Sequence, residues 1–208
     1  MMNQLSLPTK NSIATIDLFA GPGGLSLGFK NSGFNIVAAV ECEPHAGMTY
    51  EKNFLESELL KERIQNVDPE KLLDILSKVF YQKVVLIGGP PCQPFSSANR
   101  KTNGSSNPQA SAVDYFVTFV ESIMPDAFLF ENVVSFSYMN KGKSMEIFKK
   151  RLEEIGFEVD VAIIDFDRFG VPQRRRRLFI GGLRKDYLTG FSLFPKVSNG
   201  PKLTVKDP

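Results

Sequence analysis

Ile13-Ala14-Thr15-Ile16-Asp17-Leu18-Phe19-Ala20-Gly21-Pro22-Gly23-Gly24 runs from an apolar stretch into a glycine-rich turn, and Gly24 to Asn31 continues at helical spacing. Ile13 to Phe19 therefore reads as a buried strand. The glycines allow a tight turn and a close ligand approach. A helix that opens directly after such a turn offers unpaired N–H groups to an anionic group. Outward from this segment the alternation repeats. Asn35 to Val40 is a second strand, Pro44 to Phe54 and Pro69 to Phe80 are helices, and Val84 to Ile87 is a short apolar strand ending in Gly88-Gly89-Pro90-Pro91. Beyond a Ser/Asn/Gly-rich loop from Arg100 to Ser111 come a helix from Tyr115 to Met124, a strand from Ala127 to Phe130 and a helix from Met145 to Ile155 closed by Gly156. Val159 to Ile164 and Leu178 to Ile180 complete the strands. Repeated strand–helix–strand units predict an α/β, Rossmann-like fold, a mostly parallel sheet with helices on both faces. Such sheets bind ligands at the carboxyl ends of their strands. Gly21, Glu41, Cys92 and Glu131 each follow an apolar run.

Composition narrows the classes. The hydrophobic fraction of 42% suffices for a core and argues against general disorder. No apolar run is long enough to cross a bilayer, and Met1 to Ser12 is polar, without a leader-like apolar core. The expectation is a cytoplasmic or nucleoid-associated protein with no membrane partner. A net charge of +2 does not by itself require a polyanion, but Arg174, Arg175, Arg176 and Arg177 are consecutive. Cys42, Cys92 and His45 are the only residues of their kinds, which predicts neither a disulfide framework nor a metal site.

Two loops carry the chemistry. Glu41, at the end of the second strand, is placed for ribose hydroxyls, and with the glycine loop it points to nucleoside binding. Ser26 stands where the dinucleotide fingerprint needs its third glycine, which favours an adenosine-containing cofactor other than NAD. Cys92 leaves a strand between prolines into a polar loop, so its thiol is held in a defined direction. Position alone leaves both a nucleophile and a packed small residue open. Cys42 reads as a packed residue near the cofactor.

Four segments, in order, resemble the motifs of the DNA cytosine-C5 methyltransferase family. They are Asp17 to Gly24, Pro91-Cys92-Gln93-Pro94-Phe95-Ser96, Glu131-Asn132-Val133 and Gln173-Arg174-Arg175-Arg176-Arg177. The resemblance runs from about Ile13 to Gly182. It implies S-adenosyl-L-methionine as cofactor, held by Phe19, Gly21, Pro22, Gly23, Gly24, Glu41, Cys42 and Pro91. It implies double-stranded DNA as partner, met by Gln93, Ser96, Arg100 and Gln173, with the target base extruded from the duplex. By the same resemblance, Cys92 attacks carbon 6 of cytosine. Glu131 serves ring N3, and the apolar run before it predicts an apolar setting that keeps a proton available. Arg177 contacts the cytosine carbonyl, Arg175 orders the site, and Asn132 braces the cysteine loop. If the arginine run is extended, alternation puts Arg175 and Arg177 on one face.

The domain reading is a tail over 1–12, a catalytic domain over 13–185, and the start of a connection to a target-recognition region over 186–208. Within that last span, Leu203-Thr204-Val205-Lys206-Asp207 resembles the opening of the region, and a second subunit or a C-terminal region is expected to supply recognition. At the adenine-side motif Arg63-Ile64 stands where the family usually has an acid, with Glu62 and Asp68 nearby. Two alternatives stand beside DNA methylation: a catalytically silent binding or regulatory subunit, and a tRNA cytosine-C5 methyltransferase. Ser96 favours DNA over the second.

Overall fold

The computed structural model describes residues 12–91, 111–187 and 192–194. They divide into two compact units, 1–88 with 122–126, and 89–121 with 127–208.

The first unit alternates strand and helix: β1 (Ile13–Leu18), α1 (Gly24–Asn31), β2 (Asn35–Val40), α2 (Pro44–Asn53), β3 (Glu58–Leu60), a 3-10 turn, α3 (Pro69–Ser77) and β4 (Lys83–Gly88). Its strands lie in the order β3-β2-β1-β4 and every pairing is parallel. Strands of continuous apolar residues suit this arrangement, because both faces are covered. Five of the six residues in each of β1, β2 and β4 are buried. Pro44 and Pro69 open their helices at the position where a missing N–H costs nothing. Glu43 and Asp68 cap those helices with side-chain oxygens. Ala20, Ile36, Ala39, Tyr50 and Phe54 form a packed cluster behind the first turn.

The second unit holds α4 (Ala112–Ile123), most of which belongs to it, then β5 (Ala127–Val133), a 3-10 stretch, α5 (Lys143–Ile155), β6 (Phe157–Asp165) and β7 (Arg176–Arg184). Here β7 lies between β5 and β6 and is antiparallel to both. α5 carries the chain across so that β5 and β6 run the same way. The shorter connection after β6 returns β7 between them, antiparallel to both. Its core is aromatic: Phe116, Phe130 and Phe148 meet at centroid distances of 5.3, 4.5 and 6.4 Å. Gly182 is needed here, because a Cβ at that point would lie 2.0 Å from the Phe128 ring. Gly156 caps α5 in the left-handed conformation at φ 114°, as its place in the sequence predicts.

Most strands and helices fall where the sequence puts them, with differences at their ends; β7 is the largest of these, running Arg176–Arg184 where Leu178 to Ile180 was expected. β3 was not expected. β1 stops at Leu18 because Phe19 turns to φ 61°. β5 continues three residues past Phe130, so Glu131 lies inside a strand rather than after one.

Candidate active site

In the first unit, the turn after β1 is shaped by backbone conformations that side chains rarely adopt. Gly21 and Gly23 have φ of 56° and 96°, and Phe19 shares the left-handed region without being glycine. A bulky residue held there costs on the order of 1–3 kcal/mol, and such strain gathers at ligand sites. Glu41 fastens the turn: Oε2 accepts the Gly21 N–H at 2.7 Å, and Oε1 accepts the Glu43 N–H at 2.7 Å. A carboxylate has about four acceptor positions, so capacity for ribose hydroxyls remains. Above Gly21 and Gly24 the space is open, with no atom within 4 Å of where a Cβ would stand. Open backbone, the start of α1 and a free-edged carboxylate fit the adenosine and amino-acid portions of S-adenosyl-L-methionine. Pro22 and Gly24 line this region, and Cys42 is exposed rather than packed, which corrects that expectation. Glu43 is held below the usual carboxylate range by the N–H groups of Ala46 and His45. The nearby acids have local partners: Asp68 accepts the Glu70 N–H at 3.0 Å, and Glu62 pairs with Lys71 at 3.0 Å.

Beneath the turn lies a group the sequence reading passed over. Asp17 is 1% exposed and accepts the Ser26 hydroxyl at 2.6 Å. Ser26 in turn lies 3.0 Å from the Tyr50 hydroxyl. Burial pushes the Asp17 carboxyl up to about 7, against the hydrogen bonds from Ser26, and nearby Glu41 adds to the rise. Ser26 entered the sequence reading only as a departure from the dinucleotide fingerprint. An aspartate ending an apolar strand nine residues before a serine was the available signal.

In the second unit, β5 and β7 bring the motif residues together. Phe179 lies opposite Glu131 in the register, so Arg177 is two residues off, at the diagonal that long side chains span. Arg177 Nε lies 2.9 Å from Glu131 Oε1, and an Arg175 terminal nitrogen lies 4.0 Å from the same oxygen. Arg175 and Arg177 thus share a face, as alternation predicts. The setting of Glu131 is not apolar, however; two guanidiniums face it. The apolar neighbours in sequence, Phe128 and Phe130, point to the opposite face of β5. Phe166 supports Arg175, its N–H donating to the Arg175 carbonyl at 2.9 Å and its ring lying 6.0 Å from the guanidinium. Gln173, Arg174 and Arg176 are exposed.

The root of the cysteine loop meets the same strand. Asn132, 3% exposed, donates from Nδ2 to the Pro90 carbonyl at 3.2 Å, and its Oδ1 accepts the Val133 N–H at 2.9 Å. Gly89 has no side chain to spare: a Cβ there would lie 3.1 Å from Glu131 Oε2. Pro91 is the last described residue of this arm. Cys92, Gln93, Ser96 and Arg100 lie outside the described residues, as do 1–11 and 195–208.

The family profile described as C-5 cytosine-specific DNA methylase matches residues 13–206. Among curated proteins, the Type II methyltransferase M.AgeI of Thalassovita gelatinovora is 40% identical over 81% of this chain and 39% of its own length. The Type II methyltransferase M.AquIA of Picosynechococcus is 31% identical over 89% of this chain and 77% of its own length. A crystal structure of a DNA modification methyltransferase encoded within an E. coli prophage superposes with a TM-score of 0.75 at 28% identity, covering 94% of this chain and 54% of that one. This chain therefore spans less than half of M.AgeI and about half of the prophage protein. Its α/β architecture is the Rossmann-like fold of these methyltransferases. On the profile match, which covers most of the sequence, the chain belongs to the C-5 cytosine-specific DNA methylase family.

Proposed function

We propose that this chain is the catalytic portion, over residues 13–185, of an enzyme that methylates carbon 5 of cytosine in DNA through a covalent cysteine adduct. One observation carries the reading: Glu131 sits between Arg177 and the side-chain-free Gly89, which leads directly into the cysteine loop. An acid on β5, a guanidinium on β7 and a nucleophile-bearing loop whose root is held by β5 are what activation of a cytosine ring requires.

Cys92 reacts as the thiolate, its proton released to solvent: the sulfur bonds to ring carbon 6, and the electron pair of the 5,6 double bond moves toward carbon 5. Glu131 gives a proton to N3 and takes it back when the sulfur leaves, and Arg177 meets the ring carbonyl, where negative charge gathers. Arg175 holds Glu131 and Arg177 in register. After carbon 5 is methylated, its proton passes to a base, the carbon–sulfur bond breaks, and the double bond returns. S-adenosyl-L-methionine supplies the methyl group when bound. Phe19, Gly21, Pro22, Gly23, Gly24, Glu41, Cys42 and Pro91 are assigned to hold it. Gln93, Ser96, Arg100 and Gln173 are assigned to double-stranded DNA, with the chain over 186–208 leading toward target recognition.

The test uses the chain together with its recognition region, labelled S-adenosyl-L-methionine and DNA containing 5-fluorocytosine. A stable protein–DNA adduct that disappears in Cys92→Ala is the expected result. Equal labelling of DNA by both proteins removes Cys92 from the mechanism, and labelling of tRNA in preference to DNA moves the enzyme to an RNA substrate. A second reading is a subunit that works with a separate recognition chain. Adduct formation only after a second chain is added would support it.

A further inference from the structure

We propose that Tyr50, Ser26 and Asp17 form a buried hydrogen-bonded chain that positions the glycine turn for its cofactor. The proposal rests on the cofactor reading of that turn. When Asp17 is ionised, Ser26 donates its single hydroxyl proton to it at 2.6 Å and the phenol of Tyr50 donates the 3.0 Å contact. The chain then runs from Tyr50 to Ser26 to Asp17, and a protonated Asp17 can donate in the opposite sense. All three side chains come from different elements, α2, α1 and β1.

Each end of the chain bears on the turn. At one end Asp17 holds Ser26, in the first turn of α1, by its hydroxyl at 2.6 Å. α1 has no capping side chain of its own, because its N-cap is Gly23 at φ 96°. Asp17 thus ties the start of the helix that the turn opens to β1 through Ser26. At the other end the Tyr50 ring stacks on Phe54 at 4.4 Å, and the pair floors the turn. A Cβ on Gly23 would lie 2.3 Å from Phe54 and 3.1 Å from Tyr50. The hydroxyl chain fixes the ring on which Gly23 rests. A glycine at position 26 would break it, which explains why serine occupies that place.

Protonation should act through the same contacts. The groups facing Asp17 are Ser26 from α1, Tyr50 from α2 and Glu41 beyond β2; its strand neighbours Ala39 and Ile87 are apolar. An ionised Asp17 is a buried charge with a second carboxylate nearby, a state relieved by opening the turn to water. A ligand that selects the closed turn then binds less well as pH rises.

The experiment titrates S-adenosylhomocysteine into the chain by calorimetry between pH 6 and 8.5. Ser26→Ala and Tyr50→Phe are each expected to weaken binding about fivefold, the worth of one neutral hydrogen bond. The double variant should be little worse than Ser26→Ala alone, because Ser26→Ala already removes the link that Tyr50→Phe removes. Wild-type affinity should fall as pH rises. Asp17→Asn, which keeps an acceptor oxygen, should bind with no such dependence. Ser26→Ala should move the inflection to higher pH, because a donor to the carboxylate is lost. Absence of binding by wild type overturns the cofactor reading and the proposal with it. If wild type binds, unchanged affinity in Ser26→Ala and Tyr50→Phe, or multiplying effects in the double variant, overturns the positioning role alone.

Discussion

Asp17→Asn should make the protein more stable at pH 8 and leave it nearly unchanged at pH 4. Asp17 is a carboxyl whose folded value is raised, from 3.8 to about 7, chiefly by burial. Below 3.8 it is protonated in both states and contributes nothing to pH dependence. Between 3.8 and about 7 the folded chain keeps a proton that the unfolded chain has lost, so stability falls as pH rises. Above about 7 both states are ionised and the loss is complete. At about 1.4 kcal/mol for each pH unit, the whole window corresponds to about 4 kcal/mol. Asparagine keeps the acceptor for Ser26 and carries no charge, so it escapes that loss. For a chain of this size about 4 kcal/mol is roughly 8–16 °C in melting temperature. The assay is thermal or urea unfolding of both proteins at pH 4, 6 and 8, read as the difference between them. Taking the difference removes the other titrating groups, which the two proteins share. A difference that stays constant across this range would refute the reasoning, because it would mean that Asp17 titrates alike in the folded and unfolded chain.

Three further outcomes follow from the geometry. Arg177→Ala removes the 2.9 Å partner of Glu131 and should slow methyl transfer to DNA by about a hundredfold or more; a rate within threefold of wild type would take Arg177 out of the site. Gly182→Ala drives a methyl group into the Phe128 ring and should cost about 1–3 kcal/mol, seen as a lower urea midpoint with an unchanged slope; wild-type stability would mean the ring has room to move. Asp160 is held below the usual carboxylate range, burial being outweighed by hydrogen bonds from Ser192, Val161 and Leu193. That stabilisation is present above the ordinary carboxylate range and lost as pH falls through the folded value. Amide exchange at Leu193 should therefore rise on acidification relative to Asp160→Asn, and equal protection in both proteins would refute it.

The parallel half of the fold was legible because its strands are unbroken apolar runs punctuated by glycine and proline. β3 was not, since Glu58-Leu59-Leu60 is too short to signal and exists by pairing with Ala38, Ala39 and Val40. The extension of β5 was hidden for a similar reason: whether Glu131 and Asn132 are in a strand depends on Phe179 and Leu178, nearly fifty residues away. The faces of Arg175 and Arg177 were legible, because alternation is local. What they face was not, because it depends on which strand lies alongside. Ser26 was read against a fingerprint for another cofactor, so its hydroxyl was counted as a defect. Its purpose appears only once β1 and α2 bring Asp17 and Tyr50 to it.

Three acids at or near strand ends illustrate how environment assigns roles that residue type cannot. Glu41 spends one acceptor position on each of two backbone N–H groups and keeps others for a ligand, so it both shapes the turn and remains open. Glu131 faces two guanidiniums on a strand whose phenylalanines point away, so it is aligned by charge rather than enclosed by hydrocarbon. Asp17 is enclosed, and its hydrogen-bond partner is the Ser26 hydroxyl, a group that orients a carboxyl without neutralising a charge. Exchanging these surroundings would exchange the functions. A guanidinium beside Asp17 would hold it ionised and remove its pH response. Hydrocarbon around Glu131 would deprive the arginines of their alignment. The division of labour therefore resides in β7 and α1, the elements that bring arginines to one carboxyl and a serine to the other.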